Sequence, residues 1–231
     1  MRRWDIRIWL AIFGLAVAAG LVWQINSQRV DPPWEQPPAA YQFTNRWTYQ
    51  HTALWKQHLT PIFADRPISV LEVGIYEAQT AIWSLDNLFP HPSTRWTAID
   101  PLDRPGLRDR CYHNIKASGY GKQIKVIEGY SQDVLPTLAF GSYDLVYLDG
   151  CHAASCVWSD SSDAWRLLAV GGVLIFDDTH LAGVAKVVAL FLKVYRKEIE
   201  VIHQKIGTGQ GNADAQVIVR KLTPQAKDRK R

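Results

Sequence analysis

Two short β-rich runs end in acids. Asp149 closes Tyr147-Leu148-Asp149-Gly150, and Asp177 and Asp178 close Leu174-Ile175-Phe176-Asp177-Asp178. If these runs are neighbouring parallel strands, their carboxylates emerge at one edge of a sheet. Like charges gathered there are costly unless a proton or a cation neutralises them. An all-oxygen donor set suits Mg²⁺ or another hard divalent ion, with positions left for water and a substrate oxygen. Asp149, Asp177 and Asp178 are therefore candidate metal ligands, the plainer alternative being acids that cap helices or hold water. His152 and His180 follow closely in sequence, and imidazole titrates near neutrality, as a proton acceptor should.

The elements that would position these residues follow from the patterning beyond Pro67. Short β-rich runs at 68–73, 95–99, 124–127, 143–148 and 172–176 alternate with helical spacing at 78–89, 107–117, 133–138, 155–168 and 182–196. This alternation predicts an α/β fold with a doubly wound, mostly parallel seven-stranded sheet and helices on both faces. Two last strands, at 198–206 and 215–221, complete the seven. They enclose Gly207-Thr208-Gly209-Gln210-Gly211-Asn212; lacking a following Lys-Ser/Thr and helix, that run reads as a hairpin connection rather than a phosphate loop.

In such sheets ligands sit beyond the carboxyl ends of the strands, so the turn after the first strand decides the ligand. It reads Glu72-Val73-Gly74-Ile75-Tyr76-Glu77-Ala78-Gln79-Thr80. A dinucleotide fingerprint needs glycine at 74, 76 and 79, and side chains at Tyr76 and Gln79 would obstruct a pyrophosphate. The pattern instead resembles the first motif of class I S-adenosylmethionine-dependent methyltransferases. Residues 71–83, Ile99-Asp100-Pro101, 129–135, 143–150 and 167–178 follow the family's order and spacing. The resemblance covers about residues 45–221 and is closest to the small catechol-type O-methyltransferases.

That resemblance implies S-adenosyl-L-methionine as cofactor, with Glu72, Gly74, Tyr76, Thr80, Asp100, Ser131, Gln132 and Asp149 among the groups that bind it. Gly74 would allow a tight turn beside the amino-acid end. Asp100 would accept from the ribose hydroxyls, as an acid does there in dinucleotide folds. Ser131 and Gln132 match adenine-side positions, and Tyr76 and Thr80 match residues around the methionine moiety. Ala78 departs from the family's frequent glycine. Asp149, Asp177 and Asp178 match the metal ligands, with Asp178 in place of an asparagine. His152 stands where a lysine takes the substrate's proton, which makes it the candidate catalytic base, with His180 as its rival. The implied reaction is O-methylation of a small molecule or sugar, or of a glycan acceptor. Rival readings are a non-catalytic interaction module of the same fold tethered to the membrane, and an oxidoreductase or hydroxylase on the same sheet.

The remaining features bound the setting. From Ile8 to Gln28 no residue is charged, and Trp9 and Trp23 flank an apolar run. Residues 1–29 are thus expected to form an N-terminal hydrophobic helix, a single-pass membrane anchor with a cleaved signal peptide as alternative. Arg2, Arg3 and Arg7 favour a cytoplasmic N-terminus with the domain across the membrane, in conflict with the cytosolic supply of such a cofactor. Residues 30–44 read as a proline-rich linker, 45–221 as the methyltransferase domain and 222–231 as a basic tail. Of the net charge of +4, residues 1–7 carry +2 and residues 221–231 carry +4, which leaves the body at −2, so the body is mildly acidic and no nucleic-acid partner is indicated. Cys111, Cys151 and Cys156 are too few for a disulfide scaffold and are read as structural thiols.

Overall fold

A computed structural model describes residues 39–64, 66–207 and 215–222. A seven-stranded mixed sheet forms its centre, in the order β3-β2-β1-β4-β5-β7-β6. The strands are β1 (Ser69–Val73), β2 (Arg95–Asp100), β3 (Ile124–Glu128), β4 (Tyr143–Leu148), β5 (Leu168–Phe176), β6 (Ile199–Gln204) and β7 (Val217–Lys221). The first five are parallel; β7 runs antiparallel between β5 and β6. This is the expected Rossmann-like architecture, with the last two strands as a hairpin.

Two layers of helix cover the sheet: α1 (Thr52–Phe63), α2 (Gln79–Asn87), α3 (Leu107–Ser118), the single turn α4 (Ser131–Val134), α5 (Ala154–Leu167) and α6 (Ala182–Val194). Central strands buried on both faces read as continuous Val, Ile and Leu rather than as alternation. One face packs Val73, Val146, Leu148, Leu174 and Phe176 with Val157 and Trp165 of α5 and Val187 and Phe191 of α6. Residues one step along each strand face the other way: Tyr147 there meets Trp55 of α1, which also contacts Trp83 of α2.

β1 lies between β2 and β4, so the chain reverses its direction of travel across the sheet beside β1, the switch point at which such folds hold ligands. Register delivers the acidic ends together. Val73 pairs with Ile99 and with Leu148, and Leu148 pairs with Phe176, so Gly74, Asp100, Asp149 and Asp177 leave the sheet side by side.

Three expectations change. β5 begins at Leu168 rather than at 172, because Leu168 pairs with Tyr143 and a register shift follows before Val173 joins Leu145; Gly171, at φ +83°, permits that irregularity. Residues 40–44, read as linker, bond to the domain: Thr44 to Glu77 and the Gln42 amide to Asn114. The single-pass membrane anchor is withdrawn. No helix among the described residues is long and apolar enough to cross a membrane, and the hydrophobic helix expected at 1–29 lies outside the described residues, as does the tail beyond Leu222.

One acid is stored inside the sheet. Glu72 is 1% exposed and accepts from the Trp96 indole N–H at 2.8 Å. Burial pushes its carboxyl from 4.5 up to about 8, with the Trp96 hydrogen bond opposing. The folded state thus holds a proton there that the unfolded chain releases above its ordinary value, so this contribution to stability is complete at acid pH and lost as pH rises toward 8. Urea unfolding at about pH 5 and about pH 9 should show wild type losing on the order of a few kcal/mol between them, and Glu72→Gln losing clearly less. Equal pH dependence in both proteins would contradict a buried neutral acid.

Candidate functional site

An open cavity of about 620 Å³ lies along the carboxyl ends of β1, β2, β4 and β5, within the range of about 300–1,000 Å³ usual for small-molecule and cofactor sites. One end is built by the β1–α2 turn. Gly74 takes φ +94°, and a Cβ there would run into the backbone carbonyl of Asp149. Tyr76 and Ala78 are also left-handed, at φ 50° and 64°, a conformation that costs a non-glycine residue roughly 1–2 kcal/mol. The turn is held from beneath by Glu77, itself 1% exposed. Its carboxylate accepts from the Thr44 amide and hydroxyl at 2.7 and 2.8 Å and from Arg110 Nε at 2.7 Å.

Asp100 faces the same turn. Its Oδ2 accepts from the Tyr76 amide at 3.0 Å and its Oδ1 from the Leu102 amide at 2.8 Å. Two backbone donors fix the carboxylate in the cavity wall while each oxygen keeps a lone pair for a ligand. Farther along, Ser131 and Gln132 line the cavity from α4. Both donate to Asp160 of α5, at 3.0 and 3.1 Å. Burial pushes the Asp160 carboxyl up to about 6, against those two bonds.

The opposite wall carries the acids of β4 and β5. Tyr147 donates to Asp177 Oδ2 and stands 3.4 Å from Asp149 Oδ2. His51 Nε2, from the start of α1, lies 3.6 Å from Asp177 Oδ2. His152 Nε2 lies 2.9 Å from Asp178 Oδ2, and His180 Nδ1 is 3.7 Å from its other oxygen. The His152 bond holds the Asp178 carboxyl below its usual range despite burial. The same bond raises His152 above the usual imidazole value, again against burial. Asp149 is pushed well above the ordinary carboxylate range, by burial first and then by Asp177 and Asp178.

Most of the expected site residues converge. Gly74, Tyr76, Asp100, Ser131, Gln132, Asp149, His152, Asp177 and Asp178 all line the cavity. Thr80 lies beside it, in a side cavity of about 40 Å³ that shares Gly74, Tyr76, Asp149 and Asp177. Its hydroxyl is 3.0 Å from that of Thr48. Glu72 is displaced from its expected place: alternation turns its side chain into the sheet's other layer, onto Trp96. The candidate metal set also differs from the expected one. One donor atom each from Asp149, His152 and Asp178 lie within 4.8 Å of one another, whereas Asp177 is occupied by Tyr147 and His51. Cys151 and Cys156, read as thiols, form a disulfide; Cys111 is free and buried.

Sequence reasoning missed Glu77, Asp160, His51 and Trp47. Glu77 and Asp160 are acids whose importance is burial, for which one sequence carries no sign. His51 and Trp47 come from the segment before the first strand, where no motif marks which residues reach the cavity.

A family model described as a methyltransferase domain matches residues 71–179. The chain is similar to the catechol O-methyltransferase of Mycobacterium tuberculosis, 28% identical over 117 residues, or 49% of either protein. It is also similar to an uncharacterized protein of Acanthamoeba polyphaga mimivirus, 26% identical over 128 residues, covering 53% of this chain and 56% of that one. The matched segment thus spans about half the length of these relatives. In fold it resembles the O-methyltransferase TomG of Streptomyces achromogenes, solved with S-adenosylmethionine: TM-score 0.57, 17% identity, 80% of this chain and 83% of that one. Residues 71–179 thus match a methyltransferase domain, within a fold like that of class I S-adenosylmethionine-dependent methyltransferases.

The β1–α2 turn offers a direct test. Gly119 is as left-handed as Gly74, at φ +79°, but a Cβ there would meet nothing within 4 Å. Gly119→Ala should therefore cost only backbone strain, about 1 kcal/mol, in thermal or urea unfolding. Gly74→Ala adds the collision with Asp149 and should cost at least about 2 kcal/mol more. Equal losses would mean that the close approach of Gly74 to β4 is not required.

Proposed function

We propose that the chain is an S-adenosylmethionine-dependent O-methyltransferase acting on a hydroxyl of a small molecule, sugar or glycan acceptor. The observation that carries this reading is the single cavity running from a fixed carboxylate, Asp100, to a histidine–carboxylate pair, His152 and Asp178. S-adenosylmethionine, when bound, supplies a methyl group on a positively charged sulfur. Its fit is supported by the left-handed Gly74 turn that lines the cavity and by the two amide donors that hold Asp100 in its wall. Asp100 would accept from the ribose hydroxyls, and Ser131 and Gln132 would border the adenine. Tyr76, with Thr80 and Thr48 behind it, would enclose the methionine end, where an aromatic ring near a sulfonium contributes about 0.5–2 kcal/mol.

On the acceptor side His152 takes the hydroxyl proton, and Asp178 orients the ring and stabilises the imidazolium that results, as a carboxylate does behind a general base. Alignment of the oxygen with the methyl carbon supplies most of the remaining rate. A second reading of the same cluster is favoured by the donor atoms of Asp149, His152 and Asp178 within 4.8 Å. Two carboxylates and an imidazole form a donor set for a divalent cation, softer than the all-oxygen set expected for Mg²⁺ and better matched to Mn²⁺. Such an ion, when bound, lowers the pKa of a coordinated hydroxyl, and His152 then serves as ligand instead of base.

Calorimetric titration of the chain with S-adenosylhomocysteine tests the proposal. Wild type should bind, and Asp100→Ala should bind at least about tenfold more weakly. No binding by folded wild type would overturn the enzyme reading, and unaltered binding by the variant would remove the ribose role. In the same protein, Mn²⁺ affinity that disappears in His152→Ala supports the ligand reading, and absence of Mn²⁺ binding leaves His152 as base.

A further inference from the structure

The loop that carries His152 is tied by a covalent bond that the methyl-transfer reading does not use. Cys151 and Cys156, five positions apart with Cα atoms 6.1 Å from each other, are disulfide-bonded across the step from β4 into α5. That separation lies inside the range of about 4.4–6.8 Å that a disulfide spans. Cys151 lines the cavity next to His152, and Cys156 sits in the first turn of α5.

Little else holds this loop. Asp149 N donates to Val73 O at 2.9 Å before it and Val157 N to Ala153 O at 3.0 Å after it, but no amide from Gly150 to His152 donates to another backbone group among the described residues. It packs on β1 at Gly150, where a side chain would meet Val73, and on α6, where a side chain at Gly183 would run into the His152 carbonyl. Ring closure by the disulfide restricts the conformations open to the segment and holds His152 within reach of Asp178.

We propose that the Cys151–Cys156 disulfide is a redox-sensitive clasp on the active-site loop: closed, it fixes His152 against Asp178, and its reduction frees the loop. The role of His152 in methyl transfer rests on the proposed function; the clasp itself does not. A dithiol such as dithiothreitol supplies the two electrons. Its thiolate attacks the sulfur of Cys151, the more exposed partner, and the S–S bond breaks. Cys156 departs as thiolate, favoured by its place at a helix N-terminus, and takes a proton. The second dithiol sulfur then displaces Cys151, which is protonated in turn, and the reagent ends as a cyclic disulfide. Cys111 is an internal control, since burial pushes its thiol up to about 12 and keeps it unreactive in the folded chain.

The test uses the full chain purified without reductant. Alkylation with iodoacetamide followed by peptide mass analysis should label neither Cys151 nor Cys156 in the native protein, and both after mild dithiothreitol treatment, with Cys111 labelled only after unfolding. Amide hydrogen exchange over residues 150–156 should quicken at least about tenfold on reduction, while the β1–α2 turn keeps its rates. Cys156→Ser should exchange like reduced wild type and ignore dithiothreitol. Free thiols at 151 and 156 in the unreduced protein, or loop exchange indifferent to reduction, would overturn the clasp. S-adenosylhomocysteine binding, measured beside it, reports separately on the methyltransferase reading.

Discussion

Three carboxylates at one edge of a sheet are an electrostatic liability, and the site is arranged around relieving it. Asp149, Asp177 and Asp178 arrive together because β4 and β5 are parallel, adjacent and in register. Each is relieved differently. Asp178 is compensated by His152 and keeps its charge readily. Asp177 is turned inward, where the Tyr147 hydroxyl donates to it and His51 approaches. Asp149 has only a distant hydroxyl and two acidic neighbours, so it favours its proton. One edge therefore presents a paired anion, an internally hydrogen-bonded carboxyl and an acid that favours its proton. Such a pairing of unlike environments is a signature of acid–base sites.

The other end of the cavity is built by geometry rather than charge. Gly74 brings β1 against the carbonyl of Asp149, so the β1–α2 turn and the acidic edge are mechanically one piece. The turn keeps two non-glycine residues in left-handed conformations, and such strain persists only where the surroundings impose it. Glu77 does so here, joining the turn to Arg110 of α3 and to Thr44 of the preceding segment. His51, from the start of α1, then closes the cavity beside Asp177.

What could be read in the sequence was what periodicity and strand ends encode. The alternating pattern yielded the parallel sheet, and the acids that finish strands fell where parallel register puts them. The details that escaped depend on side-chain direction. Glu72 and Gly74 are two positions apart, yet one is buried against Trp96 and the other lines the cavity, because the strand stops between them. Asp177 and Asp178 are consecutive, and a left-handed residue at Asp178 sends their carboxylates to different partners. His152 thereby replaces Asp177 in the candidate metal set. The disulfide was illegible because three cysteines state only that pairing is possible, and the loop's path decides it.

The central claim is that Asp100 and the His152–Asp178 pair face one ligand from two ends of a single cavity. A crystal structure of the chain grown with S-adenosylhomocysteine measures this directly. The account predicts density along the β1–α2 turn, with the ribose on Asp100, the base beside Ser131 and Gln132, and the sulfur directed toward Asp149 and His152. Density for the nucleoside elsewhere, with that cavity empty, would contradict it.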